Sequence, residues 1–144
     1  MSYDRLLTVG EFRPWSNRQP LLRTLDIELT ERCDNACIHC YINLPENDAK
    51  AAAAEMDTAF VKDILQQAAV LGALDVRFTG GEPLLREDFV ELYLFARRLG
   101  LRVTLFTNAR RITPELAQIM GRFIPGKPVE VTVYGMHPDR KSVV

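Results

Sequence analysis

All three cysteines of the chain fall within eight residues, "CDNACIHC", as Cys33, Cys37 and Cys40 at a C-x3-C-x2-C spacing. An odd number of clustered cysteines points to metal or redox chemistry rather than to a disulfide framework. Two kinds of centre suit such thiolates: tetrahedral zinc, with four ligands, and an iron–sulfur cubane, which usually takes four thiolates. Three cysteines fall one short of both. For zinc, His39 adjoins Cys40 and would strain the loop, which leaves His137 as the fourth ligand of a Cys3His site. For a cubane, three thiolates leave one iron without a protein ligand. An external amine and carboxylate can chelate that iron, so the shortage itself becomes a binding site.

Something must hold these residues, and the hydropathy pattern says what. Residues 1–20, with Pro14, Trp15 and Pro20, read as a peripheral leader, and a single domain is expected over residues 21–144. Leu25, Ile27 and Leu29 alternate with Asp26, Glu28 and Thr30, the pattern of a strand that runs directly into the cysteine loop. "AKAAAAEM" (49–56) reads as a surface connector or a loose helical extension. A helix is predicted from Asp57 or Thr58, with Phe60, Ile64, Ala68 and Leu71 beside Val61, Leu65 and Ala69, and Gly72 as its stop. Leu74, Val76 and Phe78 then alternate with Asp75, Arg77 and Thr79 in a second strand, which ends in "GGEP", Gly80 to Pro83. A second helix spans about Glu87–Leu99 and stops at Gly100. "LRVTLFTN" is a third strand, Thr113 and Pro114 open a third helix, and "VEVTVYG" is a fourth strand. The closing "MHPDRKSVV" carries no element of its own.

Strands alternating with helices call for parallel pairing through helical crossovers, an α/β fold. Parallel strands covered on both faces normally read as unbroken apolar runs. Here all four alternate. Ile27, Val76, Val103 and Val131 suit packing under helices, while Glu28, Arg77, Thr104 and Thr132 give a polar inner face on which Glu28 and Arg77 can pair. An open, partial parallel βα barrel (an incomplete TIM-like barrel) around a polar guest fits this pattern. The cysteine loop, GGEP, Thr107-Asn108 and Tyr134-Gly135 would all lie at the C-terminal ends of strands, where such folds place their sites.

Composition narrows the function classes. The chain has 144 residues, 18 basic against 19 acidic and a net charge of −1, so no footprint for nucleic acid or an anionic membrane is visible. Arg97-Arg98 and Arg110-Arg111 read as solvated pairs, and Met56, Met120 and Met136 as packing residues. "MSYDRLLTVG" lacks the apolar core of a signal peptide, and no stretch is long enough to span a bilayer. The expected location is the cytoplasm, where thiols stay reduced.

"TERCDNACIHCY", "RFTGGEPLLR" and "LFTNA" together resemble the radical S-adenosylmethionine (SAM) superfamily, in particular its branch that modifies peptides and small metabolites. The resemblance covers about residues 21–135. It implies that Cys33, Cys37 and Cys40 hold three irons of a [4Fe–4S] cluster and that the amine and carboxylate of SAM take the fourth. It places His39 near the adenine, and Gly80, Gly81, Glu82 and Pro83 at the SAM amino group through backbone oxygen and the glutamate. Asn108, with Thr107, would be a further cofactor contact. The implied chemistry is reductive cleavage of SAM to a 5′-deoxyadenosyl radical, which takes hydrogen from a peptide or metabolite, with electrons from a reducing partner protein. Two departures stand out: Asp34 precedes Asn35 where the family often has asparagine directly after its first cysteine, and Ala109 replaces a common glycine. Only the N-terminal part of the family's core, about four strands, is expected here. The competing expectations are an inactive remnant that binds a metal or a partner through its sheet edge, and the zinc-stabilised fold.

Overall fold

The computed structural model describes residues 22–37, 40–42 and 44–132. The expected leader, His39, Tyr134-Gly135, Met136 and His137 lie outside them. The alternating segments fold as β1 (Thr24–Thr30), β4 (Asp75–Gly80), β5 (Arg102–Thr107) and β6 (Gly126–Val131), which form one sheet in the order β1-β4-β5-β6. Every pairing in it is parallel. The crossovers are α2 (Thr58–Val70), α3 (Phe89–Arg98) and α4 (Pro114–Arg122). Four parallel strands joined by helices make the partial barrel that the pattern predicts.

Local chemistry sets the helix ends. The Asp57 side chain accepts from the Phe60 N–H at 2.7 Å and the Thr113 hydroxyl from the Leu116 N–H at 3.2 Å, each satisfying a donor that the first turn leaves free. Gly72 and Gly100 follow α2 and α3 with φ of 88° and 83°, the left-handed conformation that ends a helix without a Cβ penalty. "AKAAAA" proves to be a true short helix, α1 (Ala49–Ala54), because Asp48 caps it through the Lys50 and Ala51 N–H groups.

The core lies between the sheet and its helices. Ile27, Leu29, Val76, Phe78, Val103 and Leu105 come from the strands. Val61, Leu65 and Ala68 come from α2, Phe89, Leu92, Tyr93 and Ala96 from α3, and Leu116 and Met120 from α4. From the two apolar stripes on α2 the fold buries Val61 and Leu65 of one and Ala68 of the other, and leaves Phe60 55% exposed. Among the described residues no helix is long and apolar enough to cross a membrane.

Two features differ from the sequence expectation. The fourth strand starts at Gly126 rather than Val129, and it contains Pro128. A proline is tolerated there because, among the described residues, β6 pairs on one side only, and the register shifts between Val103 and Leu105 to pass it. A second, two-residue ladder, β2 (Arg32–Cys33) with β3 (Leu44–Pro45), closes the base of the cysteine loop. Two residues are too few to show any period.

Candidate functional site

Parallel strands deliver the loops after β1, β4 and β5 to one rim. There Cys33, Cys37 and Cys40 share the wall of a cavity of about 730 Å³ with Gly80, Gly81, Thr107 and Asn108. A volume of this size suits a drug-sized ligand or cofactor. The thiols are unbridged, and Cys40 is the exposed one. Burial pushes the Cys33 thiol up, and the charges of Asp34, Glu82 and Cys37 push the same way against the Asn35 N–H. Cys37 is raised by burial and by Cys40. Such thiols give up protons when they take a metal.

Among the described residues no three His, Cys, Asp or Glu side chains converge on a point that would hold a single metal ion. Zinc needs its sulfurs about 2.3 Å from one centre. In a cubane each thiolate instead holds its own iron. Three thiols on one cavity wall are the donor set that such a cluster takes.

Gly80 and Gly81 are required by the chain itself. A Cβ on Gly80, whose φ is 129°, would stand 2.2 Å from the Thr30 carbonyl oxygen, and one on Gly81 2.3 Å from that of Arg32. The Gly81 N–H donates to Thr30 O at 2.7 Å and the Glu82 N–H to Arg32 O at 2.9 Å. The GGE segment thus lies against the backbone that leads into Cys33.

The Glu82 carboxylate, expected at the SAM amino group, has hydrogen-bond partners within the fold. It is fully buried and does not line the cavity. Oε1 accepts from the Leu84 N–H at 3.0 Å and from the Thr107 hydroxyl at 2.8 Å, while Oε2 accepts from the Asn108 N–H at 2.8 Å. Its oxygens are consumed by the fold. Pro83 is equally buried and opens a 3-10 turn, Pro83–Leu85. Asn108 does reach the cavity wall, whereas His39 lies outside the described residues.

Several functional supports carry no local sequence signal. Asp34 accepts from Asn108 Nδ2 at 2.7 Å and pairs with Arg111 at 3.1 Å. Arg110 reaches the Asp34 carbonyl and Asn35 Oδ1. Both arginines are thus engaged on the cysteine loop rather than merely solvated. Behind the site, Arg86 is buried, donates to the Leu29 and Met56 carbonyls, and pairs with Asp88 at 2.6 Å. Glu55 takes Thr30 and Arg32.

The cavity floor is the polar strand face. Arg77 pairs with Asp26 at 2.8 Å, not with Glu28, because Asp26 is its direct neighbour in the ladder. Glu28 instead accepts from the Tyr41 hydroxyl at 2.8 Å. The Arg77 guanidinium lies 4.9 Å over the Phe106 ring, and its Nε is buried with no hydrogen-bond partner among the described residues.

A partial parallel βα barrel with three thiols and a glycine pair on one rim defines a cofactor-binding α/β domain. Comparison with known proteins supplies the family. The model of the Radical SAM superfamily matches residues 27–141, and the chain belongs to that superfamily, whose members use a [4Fe–4S] cluster and SAM. The PqqA peptide cyclase of Gluconobacter oxydans (strain 621H) is 51% identical over 81 residues, which is 56% of this chain and 22% of the relative. That of Xanthomonas euvesicatoria pv. vesicatoria (strain 85-10) is 48% identical over 84 residues, 57% of this chain and 21% of the relative. The matched part spans about a fifth of these relatives' length. Streptococcus suis SuiB bound to SAM aligns with TM-score 0.59 and 29% identity over 72% of this chain and 23% of that one. BtrN, at 21% identity and TM-score 0.58, covers 74% of this chain and 48% of that one, and shares the fold.

Proposed function

We propose that this chain is the cluster- and SAM-binding part of a radical enzyme that acts on a peptide. The observation that carries the reading is the gathering of Cys33, Cys37 and Cys40 on one cavity wall with Gly80, Gly81 and Asn108. Cys33, Cys37 and Cys40 would hold the [4Fe–4S] cluster, and His39 would lie beside the SAM adenine. The carbonyl groups of Gly80 and Gly81 would receive the SAM ammonium, since a charged donor seeks backbone acceptors. Glu82 and Pro83 act from behind, fixing the segment and the Thr107-Asn108 turn. Bound at these residues and supplied with an electron by a reducing protein, the cluster and SAM would supply reductive carbon–sulfur cleavage and radical hydrogen-abstraction chemistry.

The peptide substrate is supported by the relatives: two peptide cyclases, and SuiB, which has been solved with its precursor peptide SuiA at 28% identity to this chain. The floor suits such a substrate, because Asp26, Glu28 and Arg77 offer charged partners and Phe106 an aromatic face.

The test is an electron paramagnetic resonance spectrum of the anaerobically reconstituted, reduced protein with and without SAM. A cluster signal that changes on adding SAM is the expected result. A colourless, zinc-loaded protein would overturn the reading. Cys33→Ala, Cys37→Ala and Cys40→Ala should each lose the cluster, and full iron content in all three would sink the ligand assignment.

A further inference from the structure

We infer that Asn108 sets the reduction potential of the cluster by presenting a side-chain N–H to the Cys33 sulfur, an inference that rests on Cys33 being a cluster ligand. Asn108 is held at its backbone N–H and at both ends of its side-chain amide. Its backbone N–H donates to Glu82 Oε2 at 2.8 Å, and its side-chain Oδ1 accepts from the Arg110 N–H at 2.9 Å. With Oδ1 held there, the opposite atom must be Nδ2, so the two ends of the amide are assigned by their partners. Nδ2 carries two hydrogens. One goes to Asp34 Oδ1 at 2.7 Å, and the other faces Cys33 Sγ at 4.0 Å.

Cys33 Sγ also accepts from the Asn35 N–H at 3.4 Å, so two donors meet at this one sulfur. The turn that aims Asn108 is held in turn: Ala109 sits at φ 65° with its N–H on Thr107 Oγ1 at 3.0 Å. Asp34 is itself locked by Arg111. Hydrogen bonds to the sulfurs of an iron–sulfur centre favour the more electron-rich reduced form and raise its potential. A donor that arrives from a different loop and is fixed on all sides is suited to that role, because it does not follow the sulfur passively.

The experiment is a redox titration, followed by electron paramagnetic resonance, of the reconstituted protein without SAM, for wild type, Asn108→Ala and Asn108→Leu, with iron per chain measured in parallel. The leucine keeps the bulk and removes the donor. Both variants should keep the iron content of wild type and become harder to reduce, with about a tenfold lower reduced-to-oxidised ratio at a fixed solution potential, or about 59 mV for one electron. An unchanged or raised potential at equal iron would overturn the inference. Loss of the cluster in both variants would also overturn it, by making Asn108 a scaffold of the loop rather than a tuner of the metal. If wild type itself takes up no cluster, the ligand reading of Cys33 fails first, and that outcome is distinct from the other two.

Discussion

Replacing Glu82 by glutamine separates a carboxylate that serves the ligand from one that serves the fold. Three donors converge on its two oxygens: the Leu84 N–H, the Asn108 N–H and the Thr107 hydroxyl, which lies within 3.0 Å of both. The side chain has no exposed surface. In Glu82→Gln one oxygen becomes an NH2 group that must face a backbone N–H. That forfeits a hydrogen bond to a charged acceptor, worth about 1.5–3 kcal/mol, and leaves a buried donor unmatched, with repacking recovering part of the loss. A net destabilisation of about 2–4 kcal/mol follows, which for a domain of this size lowers the melting temperature by about 6–16 °C. The assay is thermal and urea denaturation of the cofactor-free protein, where SAM binding cannot contribute. Thr107→Val gives the partner for a double-mutant cycle, expected to return about 1 kcal/mol of coupling. Cofactor-free stability that equals wild type, combined with lost SAM affinity, would refute the reasoning and return the carboxylate to the ligand.

Gly81→Ala places a Cβ 2.3 Å from the Arg32 carbonyl oxygen, where ordinary contact begins at 3.4 Å, so the lead-in to Cys33 must move by about 1 Å. Iron retention after desalting should fall in that variant even though Gly81 supplies no ligand, because displacements of about 1 Å are costly at a preorganised site. Ala109→Gly should raise the melting temperature: alanine at φ 65° costs about 1–2 kcal/mol, and glycine returns part of that as unfolded-state entropy, for a net gain of about 0.5–1 kcal/mol. Acid should loosen the brace behind the site. Arg86 holds the Asp88 carboxyl below its usual range, against the opposing effect of burial. Burial pushes Glu55 up, but the hydrogen bonds of Arg32 and Thr30 and the charges of Arg32 and Arg86 outweigh it and leave it lowered. Both folded values lie below the unfolded ones, so this stabilisation is complete above the ordinary carboxylate range and is lost as pH falls through the folded values. The urea midpoint should drop steeply below about pH 4, and Asp88→Asn should flatten that drop.

The central strands were legible because they alternate between the covered face and the cavity face, as Val76-Arg77-Phe78 does in β4 and Val103-Thr104-Leu105 in β5. The cysteine loop was legible because its chemistry is written in consecutive residues. The supports were not, because each joins segments far apart in sequence. Arg86 reads as one more charged residue ahead of a helix until the fold brings the Leu29 carbonyl to it. Asp34 was visible only as a departure from a pattern, and its meaning lies 74 residues away in Asn108. The GGE motif was legible as a close approach of backbone but not in its partners. Gly80 and Gly81 line the cavity, and the Cβ positions they lack are taken by the chain's own Thr30 and Arg32 carbonyls, while the Glu82 carboxylate is buried. A sequence states that a backbone comes close; it does not state to what.

The three rim loops are tied to one another in a closed ring. The loop after β1 holds the one after β4 through Thr30 O and Arg32 O. The loop after β4 holds the one after β5 through Glu82 to Thr107 and Asn108. The loop after β5 returns to the first through Asn108, Arg110 and Arg111 on Asp34 and Asn35. Each loop is therefore held from two sides, and a single cut leaves it tethered by the other. Two cuts loosen it from both sides, so the second should cost more than the first even where the two side chains never touch. The Glu82 and Asp34 side chains share no bond and both engage Asn108, which makes them the informative pair. Glu82→Gln and Asp34→Ala together should exceed the sum of their separate destabilisations by about 0.5–1 kcal/mol, beyond the scatter expected of independent sites. Simple additivity in urea denaturation would mean that each loop is held by its own strand and that the ring contributes nothing to the rigidity of the site.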